Sequence, residues 1–419
     1  MNLEKQILKM AQAARAASYE MALLTTHEKN VALKAIARAL VRNQEYLIKE
    51  NFKDLKTAQT AGYSMALVDR LRLNPKRIQA MADSLSETAG LKDPVGEVLE
   101  TIKRPNGLVI KKVRVPLGVV GIIYESRPNV TSDCAALCLK SGNAAIFKGG
   151  KEAVHSNKAI FKILKAVLTK TKIPLEALQL IESTDRQAVQ ELLKHDGLLD
   201  VIVPRGGEEL IRFVAEYSKI PVIKHFKGIC HVYVSKNADL GMAHAISMNA
   251  KVQKPGVCNA METLLVDKAV ARKFLPSMIA DLQNKGCEVR GDEQTRAIVT
   301  KGVNKTVEED WRTEYLGLIL SVKVVDGLKE AIDHINTYSS HHSDSIVTKN
   351  KKEAQRFLDE VDSACVYVNA STRFTDGYEF GFGSEVGIST DKLHVRGPMA
   401  LDGLTSYKYK IYGNGQIRQ

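Results

Sequence analysis

A single cysteine in a turn is the residue of this sequence best suited to covalent chemistry. Cys258 lies in the segment QKPGVCNAMETLLV, where a Pro-Gly turn follows a helical stretch and precedes an apolar strand. A thiolate is a strong nucleophile, whereas a thiol in a core behaves as a small apolar group. The segment by itself leaves both interpretations open.

Candidate phosphate-binding residues lie where predicted strands end. The segment VPRGGEEL places Arg205, Gly206 and Gly207 at a strand-to-helix junction, where backbone amides and the helix dipole can hold phosphate. Lys148 closes another strand in AIFKGG. The first strand is followed by YESRPNVTSD and lacks the G-x-G-x-x-G pattern of an ordinary dinucleotide fold. Each signal is weak alone, and a lysine at a strand end is more often an ordinary surface residue.

The other cysteines are expected to be structural. Cys134 and Cys138 are four residues apart, but no His or Cys pair follows them at zinc spacing. Six cysteines scattered over 419 residues are also too sparse for a disulfide framework. We therefore predict reduced thiols and no metal site.

Alternating strands and helices must position these residues. Residues 1–90 have helical periodicity, with a capping box at Thr25 and Glu28. Short apolar runs then alternate with helical segments, among them VVGIIY, AAIFKG, LQLI, DVIVPRGG and PVIKH. This alternation predicts an α/β fold with a mostly parallel, doubly wound sheet. A second α/β series follows Cys258, with strands predicted in ETLLVD, GCEVRGD, LSVKVV, SDSIVT and ACVYVN.

A β-ribbon is predicted beside these units. Two alternating runs flank Asn106-Gly107, a strong hairpin signal, and the strand-like tail YKYKIYGNG is expected to pair with the hairpin. Protruding ribbons often make subunit contacts. We therefore expect a homo-oligomer.

Composition narrows the class of partner. The formal net charge is +12, which raises nucleic acid as a partner, but the basic residues are dispersed and aromatic residues make up only 6%. Anionic small molecules are better candidates. The N-terminal segment lacks the apolar core of a signal peptide, and no run approaches the roughly 20 apolar residues of a membrane span. We expect a cytoplasmic protein without a membrane or nucleic-acid partner.

The motifs taken together resemble the aldehyde dehydrogenase superfamily. GVVGIIYESRPNV, FKGG, VPRGG, GICHVYV, KVQKPGVCNAMETLLV, EYLGLILSVKVV and HSDSIVT occur in the order and spacing of that superfamily. VNASTRFTDG and KLHVRGPM are similar to the branch that reduces L-glutamyl 5-phosphate to L-glutamate 5-semialdehyde, the second step of proline biosynthesis from glutamate. The resemblance covers essentially the whole chain.

The resemblance implies an aldehyde dehydrogenase-like fold, with a Rossmann-type cofactor domain, an α/β catalytic domain and a β-ribbon oligomerisation element. The implied boundaries are residues 1–97 and 117–228 for the cofactor domain, 229–372 for the catalytic domain, 98–116 and 396–419 for the ribbon, and 373–395 for a return segment near the active site.

Two catalytic roles follow from the resemblance. Cys258 matches the superfamily's nucleophile, which forms a thioester with the acyl group of the substrate. Asn129 matches the oxyanion-hole asparagine, which acts with the backbone amide of Cys258; such a donor is worth roughly 3 kcal/mol. From the residues alone, an asparagine after proline is equally a turn residue.

Cofactor roles follow in the same way. Lys148 matches a lysine that contacts the ribose, and Glu314 in TEYLG matches a glutamate on the nicotinamide-side ribose. NAD-preferring members commonly have a glutamate where this chain has Lys151. A cation there would pair with a 2′-phosphate, so NADPH/NADP is the expected cofactor.

The substrate pocket is expected around NASTRFTDG, residues 369–377. Arg373 is a candidate for a bidentate contact with a carboxylate or phosphate, and Ser371 and Thr372 are candidate hydrogen-bond donors. Arg127 is a second candidate for the phosphate. A structural ion pair is the alternative for either arginine.

One departure from the superfamily concerns water. Hydrolytic members have a glutamate that activates water where this chain has His225 in VIKHFKGICHVYV, and no carboxylate follows until Asp239. The sequence therefore favours NADPH-dependent reduction of an acyl phosphate over hydrolysis, with His225 either a base or a residue without a role.

The alternatives are a hydrolytic NAD(P)-dependent aldehyde dehydrogenase, a nucleic-acid-binding protein and an inactive partner of glutamate 5-kinase. Transient contact with that kinase is compatible with the main hypothesis.

Overall fold

The computed structural model describes residues 2–224 and 226–418. They form two compact units. Unit 1 contains the described residues up to 224, residues 381–388 and those from 398 onward, and unit 2 contains the described residues of 226–380 and 389–397. Within the described residues, none of the helices has both the length and the hydropathy to cross a bilayer.

Helices account for much of both units. Their bounds are α1 Leu3–Met21, α2 Thr26–Arg42, α3 Gln44–Thr60, α4 Met65–Leu71, α5 Pro75–Gly90, α6 Asn129–Lys140, α7 Val154–Leu168, α8 Gln187–Leu192, α9 Glu208–Tyr217, α10 Leu240–Val252, α11 Lys268–Asn284, α12 Glu293–Ile298, α13 Leu328–Tyr338 and α14 Lys351–Glu360. The first five confirm the helical N-terminal layer, and the Thr25–Glu28 capping box begins α2 as predicted.

The strands belong to several sheets. Their bounds are β1 Val98–Lys103, β2 Val109–Pro116, β3 Val119–Tyr124, β4 Ala144–Gly149, β5 Leu178–Leu180, β6 Val201–Arg205, β7 Cys230–Val234, β8 Met261–Asp267, β9 Glu288–Gly291, β10 Val303–Lys305, β11 Ile319–Val325, β12 Ser343–Val347, β13 Cys365–Val368, β14 Gly387–Ser389, β15 Gly397–Met399 and β16 Thr405–Tyr412.

Unit 1 is built on a parallel sheet with the order β5-β4-β3-β6. In order of appearance along the chain these strands are 3-2-1-4, which is the order of half a Rossmann fold. Every residue of β3 is buried, because helices cover both faces of such a sheet. The carboxyl ends of β3, β4 and β6 lie side by side, since Tyr124 pairs with both Gly149 and Arg205. Ligands of doubly wound sheets bind at this edge.

The prediction of a strand in the segment PVIKH was only partly correct. PVIKH forms only a single bridge, between Val222 and Ile202, and does not extend into a strand. Pro221 has no backbone N–H to donate, so the segment cannot form a full ladder along the edge of β6. The last residue of that segment, His225, lies outside the described residues.

Unit 2 contains a seven-stranded sheet with the order β10-β9-β11-β8-β7-β12-β13. Its neighbouring strands all pair in parallel. The five strands predicted after Cys258 are confirmed as β8, β9, β11, β12 and β13. Strand β10 was not predicted, because it has only three residues and a single partly buried apolar side chain, which is too short for an alternating pattern.

The predicted ribbon is confirmed as an antiparallel sheet, β1-β2-β16. Gly107 has a φ of +87°, which the hairpin turn requires and which glycine adopts without strain. The tail pairs with the hairpin from Thr405 opposite Pro116 to Tyr412 opposite Val109. Most side chains of β16 are exposed, so the ribbon presents apolar and aromatic groups to its surroundings.

Candidate active site

Cys258 lies in the loop of residues 253–260 that joins α10 to β8 in unit 2. It is partly exposed, whereas the other five cysteines are buried, and all six are free thiols. Burial raises the pKa of the Cys230 thiol far above its usual value. Cys258 is therefore the cysteine that a small substrate can reach. Within the described residues, no group of side chains is arranged to hold a metal ion.

Gly228 forms a close contact behind the nucleophile. A Cβ atom at this position would overlap the backbone of Cys258, including its carbonyl oxygen and Cα. The Cys258 carbonyl also accepts a hydrogen bond of 3.2 Å from the Cys230 thiol. The motif FKGIC thus supplies the surface against which the cysteine loop is seated, and only glycine fits there. Sequence analysis missed this role because the two segments are 30 residues apart.

We expect Gly228→Ala to lower kcat by about 10- to 100-fold, because the added methyl group must displace the backbone that carries the nucleophile. Gly241→Ala is the matched control, since its nearest non-neighbouring atom would be an ordinary 3.4 Å from the added Cβ. Both variants are compared in steady-state kinetics, with thermal unfolding as a check on the fold. Equal kcat values for the two would contradict this role.

The segment of residues 371–375 holds the cysteine loop from the C-terminal side. Thr372 Oγ1 donates to the Asn259 carbonyl at 2.7 Å, and Asn259 Nδ2 donates to the Thr375 carbonyl at 2.8 Å. Arg373 Nε donates to Gln253 Oε1 at 2.8 Å, and its Nη1 donates to Asn259 Oδ1. The predicted substrate segment therefore contacts the loop that carries the nucleophile, although more than 100 residues separate the two in the sequence.

These contacts also restrict the predicted substrate-binding residues. Ser371 and Thr372 are buried, and the Ser371 hydroxyl accepts from the Arg373 backbone amide at 3.3 Å. Arg373 is partly exposed, but Gln253 and Asn259 already accept from its guanidinium. Arg127, in unit 1, is exposed.

A buried ion pair flanks the loop on its other side. Lys251 Nζ and Glu262 Oε2 are 2.5 Å apart and both side chains are fully buried. Burial raises the pKa of Glu262 to about 7, although the neighbouring Lys251 opposes the shift. Glu262 Oε1 also accepts from the backbone amide of Leu316 at 3.3 Å. The pair therefore ties the two ends of the cysteine loop to the segment that carries Glu314.

Glu314, the predicted ribose contact, is partly exposed. Its charge is one of the causes that raise the pKa of Glu262. A Cβ atom on Gly256 would lie 3.6 Å from the Leu316 carbonyl oxygen. The structure thus brings the Glu314 segment and the cysteine loop together in unit 2.

Asn129, the predicted oxyanion donor, is the first residue of α6 in unit 1 and is partly exposed. Its Nδ2 donates to Asp133 Oδ2 at 2.8 Å. Ser84 donates to the other oxygen of that carboxylate at 3.1 Å. Burial raises the pKa of Asp133 to about 6. Asp133 fixes the orientation of the Asn129 amide and leaves one of its two N–H groups for another acceptor.

Lys148 ends β4 at the carboxyl edge of the unit 1 sheet. Only 5% of its surface is exposed, and its Nζ donates to the Gly149 carbonyl at 2.9 Å. Burial lowers the pKa of Lys148. Lys151 is exposed at the start of the 3-10 turn Lys151–Ala153. The two predicted cofactor-binding lysines are thus three residues apart, one buried and one open to solvent.

The surroundings of Lys148 fit a polar ligand. Asn157 Nδ2 is buried and has no hydrogen-bond partner among the described residues. A Cβ atom on Gly149 would overlap this nitrogen. Gly149, Gly150 and Asn157 line a pocket that also reaches the ends of β4 and β5. The orphaned Asn157 donor is a group that a single ligand oxygen can satisfy.

Arg205 ends β6, and Gly206 and Gly207 connect it to α9, so these residues lie at the predicted strand-to-helix junction. The Gly207 amide donates to Glu125 Oε2 at 3.0 Å. Arg205 is partly buried, and a Cβ atom on Gly387 would lie 3.6 Å from its Nη1. One of the predicted phosphate-binding amides therefore donates to a carboxylate that sequence analysis did not identify.

Comparisons with known proteins agree with this geometry. The model of the aldehyde dehydrogenase family matches residues 2–309 and 283–392. The gamma-glutamyl phosphate reductase of Nautilia profundicola is 56% identical over 415 residues, which is 99% of this chain and 100% of that protein. The enzyme of the same name from Geobacter metallireducens is 55% identical over 419 residues, covering 100% of both chains.

Solved structures give the same result. A crystal structure of gamma-glutamyl phosphate reductase from Thermotoga maritima has a TM-score of 0.97 and 47% identity, and the match covers 99% of this chain and 100% of that one. An acetylating aldehyde dehydrogenase from Geobacillus thermoglucosidasius has a TM-score of 0.69 at 17% identity, over 100% of this chain and 98% of that one. The second likeness concerns the fold alone.

Proposed function

Because the chain belongs to the aldehyde dehydrogenase family, we propose that it reduces L-glutamyl 5-phosphate to L-glutamate 5-semialdehyde and phosphate, with Cys258 as the nucleophile and NADPH as the reductant. This reaction is the second step of proline biosynthesis from glutamate. The observation that carries the proposal is the single partly exposed cysteine, held in a loop that glycine, threonine and asparagine contacts fix in place.

The chemistry begins with attack of the Cys258 thiolate on the acyl carbon of the substrate. The sulfur–carbon bond forms, the bond from carbon to the phosphate oxygen breaks, and phosphate leaves with the electron pair. Asn129 Nδ2 and the Cys258 backbone amide are proposed to donate to the oxyanion that develops in this step. The product is a thioester on Cys258.

NADPH, when bound, supplies the hydride that reduces the thioester carbonyl. The cysteine then leaves the resulting carbon as a thiolate, the carbonyl reforms, and the aldehyde departs. The same oxyanion donors are proposed to serve this second step. No carboxylate stands between residues 226 and 238 to activate water, so the thioester is expected to persist until it is reduced.

We propose that Lys148, Lys151, Arg205, Gly206, Gly207 and Glu314 hold the cofactor. The strand order of unit 1 and the orphaned Asn157 donor support a nicotinamide cofactor at the carboxyl edge of its sheet. Lys151 supports NADPH over NADH, because an exposed cation is available to a 2′-phosphate.

Charge reversal at Lys151 tests this preference. We expect Lys151→Glu to weaken NADPH binding by about tenfold, because a carboxylate repels the 2′-phosphate, and to leave NADH binding unchanged or stronger. Lys170→Glu, at an exposed position beyond the end of α7, makes the same change in net charge as a control. Calorimetric Kd values are measured for both cofactors. A parallel loss for NADPH and NADH would refute the assignment.

The residues proposed to bind the substrate remain Arg127, Ser371, Thr372 and Arg373. Arg127 is exposed, and we propose that it contacts the acyl phosphate. Ser371 and Thr372 are buried, and their hydroxyls bond to the backbone of Arg373 and Asn259. We propose that they contribute to substrate binding by fixing the position of Arg373. We further propose a cytoplasmic homo-oligomer that assembles through the ribbon and makes transient contact with glutamate 5-kinase.

The reverse reaction tests the function. The protein is given L-glutamate 5-semialdehyde and NADP⁺, with and without inorganic phosphate, and cofactor reduction is followed by absorbance. Sustained turnover is expected only with phosphate, because phosphate must displace Cys258 from the thioester. An equal rate of sustained turnover with and without phosphate would instead identify a hydrolytic aldehyde dehydrogenase.

A further inference from the structure

Glu125 occupies the N-terminus of α9. It follows β3 directly, and its Oε2 accepts a hydrogen bond of 3.0 Å from the Gly207 amide, 82 residues away in the chain. A Cβ atom on Gly206 would overlap the same carboxylate oxygen. The two glycines that precede α9 are thus both close to one acidic side chain, and at Gly206 a bulkier residue would have to displace that carboxylate.

The position is one that normally favours an anion from outside. The first N–H groups of a helix lack partners within the helix, and the helix dipole attracts negative charge to them. Phosphate groups use such sites at the carboxyl edge of parallel sheets. β3 and β6 are neighbours at the point where the strand order of unit 1 reverses, and Glu125 and α9 follow these two strands.

We propose that Glu125 is an internal competitor for the cofactor phosphates, which holds the N-terminus of α9 closed and must withdraw its carboxylate before the cofactor binds fully. This inference rests on the proposed function. It assigns to Glu125 a role in setting cofactor affinity that differs from the contact roles of Lys148 and Lys151. Part of the Glu125 side chain is open to solvent, so the carboxylate has space into which it can turn.

The charges around Glu125 favour its withdrawal or protonation. Glu152 lies close enough to repel it, and Glu209 in the first turn of α9 does the same, whereas Arg186 attracts it. Glu152 is itself held nearby, since its Oε1 accepts from the Ser126 amide at 2.6 Å. Partial burial together with these carboxylates raises the pKa of Glu125. A cofactor that brings several phosphate charges adds to the same repulsion.

Equilibrium binding of NADP⁺, measured by isothermal titration calorimetry on the full chain, tests the inference. Glu125→Gln is expected to tighten binding by about tenfold near neutral pH, because the neutral amide competes less well for the Gly207 amide and no longer repels phosphate. Glu209→Gln is the matched control. It removes the same charge from the same helix end, where Glu209 is highly exposed and paired at 3.7 Å with Arg186, and its effect is expected to stay below about twofold.

The pH dependence gives a second readout. Lower pH increases the protonated fraction of Glu125, so the advantage of Glu125→Gln over the wild type should shrink as pH falls. The ratio of the two Kd values is used because it cancels the titration of the cofactor itself. Unchanged or weaker binding in Glu125→Gln, or equal tightening in Glu209→Gln, would overturn the inference. Wild-type protein that reduces glutamyl phosphate would in that case leave the proposed function intact, whereas failure of the wild type to bind NADP⁺ would refute both.

Discussion

Replacement of Cys258 by alanine is expected to lower kcat for glutamyl phosphate reduction by at least about 10⁴-fold, because no other group in the cysteine loop can form the acyl intermediate. Neighbouring Asn259 is committed to residues 373 and 375, and the Cys230 thiol is buried against the Cys258 carbonyl. The variant should still bind NADP⁺ with wild-type affinity. That pattern separates loss of chemistry from loss of the fold.

Cys287→Ala is the control for a thiol of the same unit without a chemical role. Cys287 is buried, and burial raises the pKa of its thiol to about 11. Its replacement removes a small apolar group, so the expected change in kcat is less than about threefold, with some loss of stability. Activity that survives in Cys258→Ala would exclude covalent catalysis, whatever the control shows.

Asn129→Ala is expected to lower kcat by about 10²- to 10³-fold with a small change in KM, because an oxyanion donor acts mainly in the transition state. The structure gives this prediction a specific basis in Asp133, which accepts one N–H of the Asn129 amide and leaves the other to an acceptor. Steady-state kinetics with glutamyl phosphate or with the semialdehyde in reverse measure the effect.

Asp133→Asn provides the companion to that variant. It retains the size of the side chain but removes the charge that orients Asn129, so its loss in kcat should be smaller than that of Asn129→Ala. The unfolding midpoints of both variants show whether α6 is intact. A loss in Asn129→Ala that appears only in KM would contradict an oxyanion role.

The fold of this chain was predictable because its signals are local. Short apolar runs between helical segments identified β3, β4 and β6. The Asn106-Gly107 turn identified the ribbon hairpin, because glycine adopts the positive φ that the turn requires. The strand expected in PVIKH was an exception. Its apolar residues suggested a ladder that Pro221 interrupts, and only one bridge forms.

The site was predictable only in part, because its contacts join distant segments. Cys258 was identified from its turn together with the family resemblance, but Gly228, which contacts its backbone, and Glu125, which accepts from the N-terminus of α9, have no local signature. Gly228 contacts a residue 30 positions later, and Glu125 contacts Gly207 from 82 positions away. Arg373 shows the converse: the sequence indicated a candidate substrate contact, with a structural ion pair as the alternative, whereas the structure directs its donors to Gln253 and Asn259.

Buried charge is a further feature that pattern alone did not reveal. Lys251 and Glu262 are eleven residues apart and flank the nucleophile, yet both are fully buried and paired. An isolated charge would be strongly disfavoured in such surroundings, so each residue requires the other. Neither polarity nor spacing in the sequence separates this pair from the many exposed ion pairs of the chain.

The central claim is that Cys258 carries an acyl group that waits for phosphate rather than water. The most direct measurement mixes the protein with L-glutamate 5-semialdehyde and excess NADP⁺ in the absence of phosphate, follows NADPH formation by stopped flow, and determines the intact mass of protein quenched early in the reaction. We predict a burst of about one NADPH per active site, a glutamyl adduct on Cys258, and rapid turnover once phosphate is added. Continuous NADPH formation without phosphate, or a burst without an adduct on Cys258, would contradict the account.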